Sequence, residues 1–166
     1  MPEIQMQTFY AFAFDIEIEQ EHFGLCLNSV DTLEISKEKY VKGSFSDKEY
    51  EIVFNTGDWK YQSFNNSSYP LIENIWNLKM KPIIASVFSY YENIQFDDNL
   101  VDIEIVELTE HFHNGFIRSI EKVIARMKKE KIFHCLKRTD IFSVYFLEFQ
   151  DDLKDKAVKN RISQYY

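Results

Sequence analysis

The sequence predicts an α+β fold in a single domain, with a mainly antiparallel sheet packed against two long helices and a further helix at the C-terminal end. Three patterns carry that expectation. Residues 8–18 alternate, with Tyr10, Phe12, Phe14, Ile16 and Ile18 on one face at the two-residue period of a strand. Between residues 102 and 133 the side chains Ile105, Leu108, Phe112, Phe116, Ile120, Ile124 and Met127 recur at spacings of three and four, the stripe of an amphipathic helix. Residues 140–149 form another strand between two helical segments, so their backbone groups find partners by joining the early strands. No Pro-, Gly- or Ser-rich linker and no repeat of fixed period divides the 166 residues, a length that buries a core without staples. Apolar residues make up 45% of the chain and aromatics 16%, with only four Gly and three Pro, which favours a dense aromatic core over disorder.

Along the first strand the second face changes character. Phe9, Ala11 and Ala13 are apolar whereas Asp15, Glu17 and Glu19 are charged, so the strand starts covered on both sides and ends in solvent. Gln20-Glu21 reads as a hairpin turn, and residues 22–28, with Phe23, Leu25 and Leu27, as the returning strand. Ser29 or Asp31 is placed to cap a short helix reaching Tyr40. Residues 49–55 alternate and predict a third strand, closed by the turn Asn55-Thr56-Gly57-Asp58, whose Asn and Gly tolerate positive φ. Pro70 suits the first turn of a helix carrying Leu71, Ile75, Leu78, Ile83, Val87 and Tyr90 or Tyr91. Pro82 should bend or divide that helix near Met80, because it lacks a backbone donor and crowds the preceding turn. In the long helix, Asp97, Asp98, Asp102, Glu104 and Glu107 cluster at the start and Lys128, Lys129 and Lys131 at the end, both complementing the helix dipole. Residues 151–164 form an amphipathic tail.

The formal charge is −8, from 27 acidic against 19 basic side chains, so the mean field repels phosphate backbones and favours a basic protein partner. Cys26 and Cys135, without a secretion signal, read as reduced thiols rather than a bridge. The first residues have neither the basic flank nor the apolar run of a signal peptide, and no apolar stretch is long enough to span a membrane. A cytoplasmic protein with no membrane contact is the expectation.

Candidate chemistry is sparse. His111 and His113 point about 200° apart on a helix and cannot share an ion; Glu107 with His111, at i and i+4, is better placed but has no third ligand. His134-Cys135 supplies a base and a nucleophile in name, but chain neighbours diverge and no orienting acid is recognisable. The pairs Asp97-Asp98 and Asp151-Asp152 suit acid–base or metal chemistry, yet each sits where a helix start favours acids anyway. Arg126, Lys128, Lys129, Lys131, Lys137 and Arg138 form a basic patch without interleaved aromatics, which reads as a solvated face rather than a nucleic-acid site. The expectation is a non-enzymatic chain with no catalytic residues, metal or cofactor.

The opening strand TFYAFAFD, a second strand ending in LNS, the segment NTGDWKYQSF and the helix FIRSIEKVIARMKKEKIF before a strand together resemble a bacterial family described as a domain of unknown function, DUF4303. Its motifs correspond here to Phe9-Tyr10-Ala11-Phe12-Ala13, to Trp59 with Tyr61, and to Lys131-Ile132-Phe133. Members usually have a helix before the first strand, for which seven residues precede Thr8. The resemblance implies a small cytosolic protein of the kind found among immunity proteins of polymorphic-toxin and contact-dependent inhibition systems, which bind a cognate toxin domain, frequently a nuclease, and occlude its substrate cleft.

On that expectation the partner is a basic toxin domain, and the contact residues are Glu17, Glu19 and Glu21 at the hairpin tip, Asp58, Trp59 and Tyr61 in the turn-rich segment, and Asp97 and Asp98. Each has a plainer alternative. The glutamates also guard a strand edge against aggregation, and Trp59 and Tyr61 equally suit a seal on the core. Two other functions stay open: a small metal-dependent or hydrolytic enzyme using the acidic clusters, and a nucleic-acid-associated regulator.

Overall fold

Phe9-Tyr10-Ala11-Phe12-Ala13-Phe14 is apolar at every position because strand β1 (Phe9–Glu17) is the middle of a three-stranded sheet covered on both faces. A computed structural model describes residues 6–18, 22–40, 49–64, 70–95, 102–148 and 151–163, with side chains at all of these except 49, 88, 90–95, 102–109 and 163. Strand β2 (His22–Ser29) pairs with β1 antiparallel, and β3 (Arg138–Glu148) pairs with its other edge in parallel, giving the order β2-β1-β3. The late strand does join the early ones, and the class is α+β. The sheet is mixed, because the segment from β2 to β3 brings the chain back to the same end of the sheet before β3 begins.

One face of the sheet carries Phe12, Phe14, Ile16, Leu25, Leu27, Val144 and Phe146. It is covered by α3 (Pro70–Ile75), the turn that follows and α4 (Lys81–Gln95), through Trp76 and Ile84, and by α5 (Asp102–Lys129), through Phe116, Ile120 and Ile124. The opposite face carries Tyr10, Ala11, Ala13, Cys26, Tyr145 and Leu147. Over it lie Leu33 of α1 (Val30–Tyr40), Ile52 and Phe54 of α2 (Glu49–Phe54), Trp59, and Val158 and Ile162 of α6 (Lys156–Ser163). Burial on this second side pushes the Cys26 thiol up to about 12, an inert protonated group.

Four expectations are corrected by local geometry. Tyr10 lies opposite Phe12 and Phe14, because a register shift between Phe9 and Ala11 breaks the alternation and turns Tyr10 to the second face. Residues 49–54 are helix α2 and not a strand, since a segment of six residues is too short to display the helical period. Its helical spacing shows in Tyr50 and Phe54, one turn apart, whose ring centroids lie 4.6 Å apart. The Asn55–Asp58 turn needs no positive φ, because Asn55 Oδ1 accepts the Gly57 amide at 3.0 Å and closes a 3₁₀ turn (Thr56–Asp58) directly. Of the two proposed caps for α1, Ser29 fills the role: its Oγ accepts the Thr32 amide at 3.4 Å, and Asp31 falls in the first turn.

The fourth correction concerns α3 and α4. The interruption expected from Pro82 takes the form of a π turn, Trp76–Met80, in which Lys81 N–H donates five residues back to Trp76 O. Residues four apart drift about 40° per step on an ordinary helix. The wide turn cancels that drift, so Ile72, Trp76, Met80 and Ile84 all point at the sheet. Leu71, Ile75, Leu78 and Ile83, which read as the core stripe, face outward instead. The α5 stripe lies as expected over Phe112, Phe116, Ile120, Ile124 and Met127, while side chains Ile105 and Leu108 are outside those described.

Candidate functional site

The two aromatic motifs meet at one point, the C-terminal end of α2. A helix end leaves carbonyls without intrahelical partners, and here side chains from three other segments supply donors. Tyr10 Oη donates to Val53 O at 2.7 Å, and Trp59 Nε1 donates to the same carbonyl at 3.2 Å. Tyr145 Oη donates to Phe54 O at 2.9 Å. Asn28, fully buried, donates from Nδ2 to Tyr10 Oη at 3.0 Å and accepts the Ser29 amide on Oδ1. Burial raises both tyrosine hydroxyls well above their ordinary range, so they stay protonated donors. Tyr61 returns to the first face: its ring lies 6.0 Å from Phe9, its backbone bridges Leu27, and its hydroxyl donates to Gln7 Oε1 at 2.9 Å.

Trp59 is 3% exposed, with edge-on contacts to Tyr10 and Tyr145, and offers no surface to a partner in this fold. Tyr61 is half-buried against the core and its hydroxyl is already engaged. These two candidates therefore seal the core edge, the plainer of the alternatives above. Asp58 Oδ1 accepts from Tyr40 Oη at 3.0 Å, and Thr56 Oγ1 donates to Asp15 Oδ2 at 3.2 Å. That link brings the turn carrying Asp58 over the sheet face bearing Asp15 and Glu17. Glu17 ends β1, half-buried and opposite His22. Glu19, Glu21, Asp97 and Asp98 lie outside the described residues, as does the Gln20-Glu21 turn.

A second polar group ties α5, β3 and α6 together. His113 Nε2 lies 2.6 Å from Glu148 Oε2, and Arg161 bridges Glu148 Oε1 at 3.4 Å and Asp151 Oδ1 at 2.8 Å. Asp151 Oδ2 also accepts the Glu148 amide at 2.7 Å, and the Arg161 guanidinium sits 4.3 Å from the Phe146 ring centroid. Of these, His113 and Asp151 stood out in the sequence, but each beside a different neighbour; His113 lies 35 residues before Glu148, and the four share no motif. His111 and His113 are both exposed, and it is the contact with Glu148 that marks His113 out. Among the described residues no three His, Cys, Asp or Glu side chains are arranged to hold a metal ion.

Desolvation pushes the Glu148 carboxyl above its ordinary 4.5, with Asp151 adding to the rise and His113 and Arg161 opposing it. The folded chain thus holds that proton more readily than the unfolded one, so Glu148 loses stabilisation as pH rises from 4.5 through the elevated value. Urea unfolding of the wild type and Glu148→Gln across this window will show the wild type's relative stability falling with pH. A wild-type stability that rises relative to Glu148→Gln with increasing pH contradicts the assignment.

A row of exposed apolar side chains was read from the sequence as core. Leu71 is 70% exposed, Ile75 53%, Leu78 73% and Ile83 52%, a row along the outside of α3, the π turn and α4. It is flanked by Asn74, Asn77 and Lys79, all exposed. Exposed leucine and isoleucine gathered along one side of a helix are the kind of surface that marks contact sites for other macromolecules.

With two helical layers enclosing a mixed three-stranded sheet, polar clusters engaged in internal bonds and an outward apolar row, the described residues form an α+β fold. The chain belongs to the family described as Domain of unknown function (DUF4303), whose model matches residues 2–159. No curated protein and no solved structure matches it significantly. Among the described residues, no helix is long and apolar enough to cross a membrane.

Proposed function

We propose that this chain is an immunity-type binding protein, cytoplasmic and non-enzymatic, that neutralises a cognate bacterial toxin domain by covering its basic substrate cleft. The observation that carries the reading is the exposed row Leu71, Ile75, Leu78 and Ile83, which supplies the desolvated anchors on which protein affinity rests. The net charge of −8 supports a basic partner, with acidic side chains steering the encounter and the apolar row holding the complex. A nuclease domain fits this chemistry, because its own substrate is a polyanion and its cleft is positive. The family resemblance to immunity proteins of polymorphic-toxin systems points to the same partner.

Glu17, Glu19 and Glu21 are assigned the steering role, on their sequence alternation at the end of β1. Association rates with the purified toxin domain, measured at low and physiological salt, test it. Neutralising all three to Gln is expected to slow association several-fold at low salt and flatten its salt dependence, with dissociation little changed. An unaltered salt dependence rejects these three residues as the steering group.

A further inference from the structure

Phe133 and Phe142 meet with ring centroids 5.1 Å apart, and with Met127 and Val144 they floor a hollow of about 210 Å³. It opens where the C-terminal end of α5, the 3₁₀ turn Ile132–Cys135 and the start of β3 converge. Its rim carries Lys128, Lys131, His134 and Arg138, with Asp140 the one carboxylate among its lining side chains. On a chain of net charge −8 this is a local field of the opposite sign. The helix dipole accounts for Lys128 in the last turn of α5. It does not account for His134 and Arg138, which arrive from the turn and from β3. Lys131 takes left-handed backbone (φ 54°), ending α5 and reversing the chain so that Phe133 and His134 line the same hollow as Arg138.

Cationic side chains gathered at the edge of one hollow set up a local positive field that attracts an anion. The Arg138 guanidinium already lies 6.0 Å from the centroid of the Phe142 ring, so a planar donor fork stands directly above an aromatic surface. A cavity of roughly 150 Å³ accommodates benzene. The larger volume here leaves room for one ring and a charged substituent.

We infer that this hollow binds a small organic anion, a single flat ring bearing one carboxylate or phosphate, with the ring on Phe133 and Phe142 and the charged head between Arg138 and Lys131. The site is separate from the apolar row of α3 and α4, and neither depends on the other.

The test is an NMR titration of the full chain with phenyl phosphate, benzoate, neutral benzyl alcohol and inorganic phosphate. One of the two aryl acids is expected to give saturable shifts at Phe133, His134 and Arg138 with roughly millimolar affinity or better. Benzyl alcohol and inorganic phosphate should each bind at least about tenfold more weakly, since each lacks one half of the recognition. Arg138→Gln and Lys131→Asn should each weaken the acid by about tenfold. Asparagine tolerates the left-handed backbone at 131, so that variant reports on binding even where Arg138→Gln disturbs the strand. The preference between phosphate and carboxylate identifies the head group. No saturation by either acid, equal binding of benzyl alcohol or of inorganic phosphate, or indifference to Lys131→Asn overturns the assignment.

Discussion

Trp59→Ala is expected to destabilise the fold by about 3–5 kcal/mol, a large share of the roughly 5–15 kcal/mol that holds a domain of this kind together. The side chain is almost wholly buried, packs edge-on against Tyr10 at 6.1 Å and Tyr145 at 5.9 Å, and donates to Val53 O. Removing it opens a cavity in the second layer and takes one of two donors from that carbonyl. Tyr10→Phe removes the other donor without a cavity and strands Asn28 Nδ2, for an expected loss of about 1–3 kcal/mol. Urea unfolding of the three proteins checks both figures. A Trp59→Ala protein as stable as wild type would return Trp59 to the list of exposed contact residues.

Leu71→Glu combined with Leu78→Glu should have the opposite profile. Both side chains project into solvent and glutamate is nearly as good a helix former as leucine, so each change should alter stability by no more than about 0.5 kcal/mol. Two charges placed in the centre of a desolvated interface should weaken partner binding by at least about 2 kcal/mol, roughly thirtyfold. Paired calorimetry of unfolding and of binding separates the outcomes. Loss of stability with intact binding would assign the row to the fold, and undiminished affinity would move the partner to another face.

The two variants exchange the roles suggested by sequence pattern, and the reason is geometric. Leu71, Ile75 and Leu78 satisfy a 3.6-residue period as well as any core stripe, and only the π turn before Pro82 decides that Ile72, Trp76, Met80 and Ile84 face the sheet. Nothing local announces that turn beyond the proline itself. Trp59 sits next to a turn, where aromatics are often exposed, but the unsatisfied carbonyls of α2 draw its indole inward. Because α2 reads as a strand, those carbonyls were not visible as a destination.

Long, repetitive segments were legible. β1, β2, β3 and α5 carry enough periods for their type to be plain, and the apolar first half of β1 correctly signals cover on both faces. The face of Tyr10 was not, because a single extra residue at the Phe9–Ala11 irregularity inverts the alternation. The parallel pairing of β3 with β1 depends on which end the chain returns to after α5, a property of the whole connection and not of the strand. The His113, Glu148, Asp151 and Arg161 group was hidden for the same reason: it is assembled by tertiary structure from three elements.

The central claim is that this family member binds and silences a toxin domain, and the most direct measurement is affinity purification of the tagged chain from its native host in moderate salt, with mass spectrometry and stoichiometry of what remains bound. The account predicts one-to-one recovery of the product of a neighbouring gene, a protein toxic when expressed alone and harmless when co-expressed with this chain, and loss of that protein from the Leu71→Glu, Leu78→Glu bait. A bait recovered alone, or a bound neighbour whose toxicity is untouched by co-expression, would contradict it.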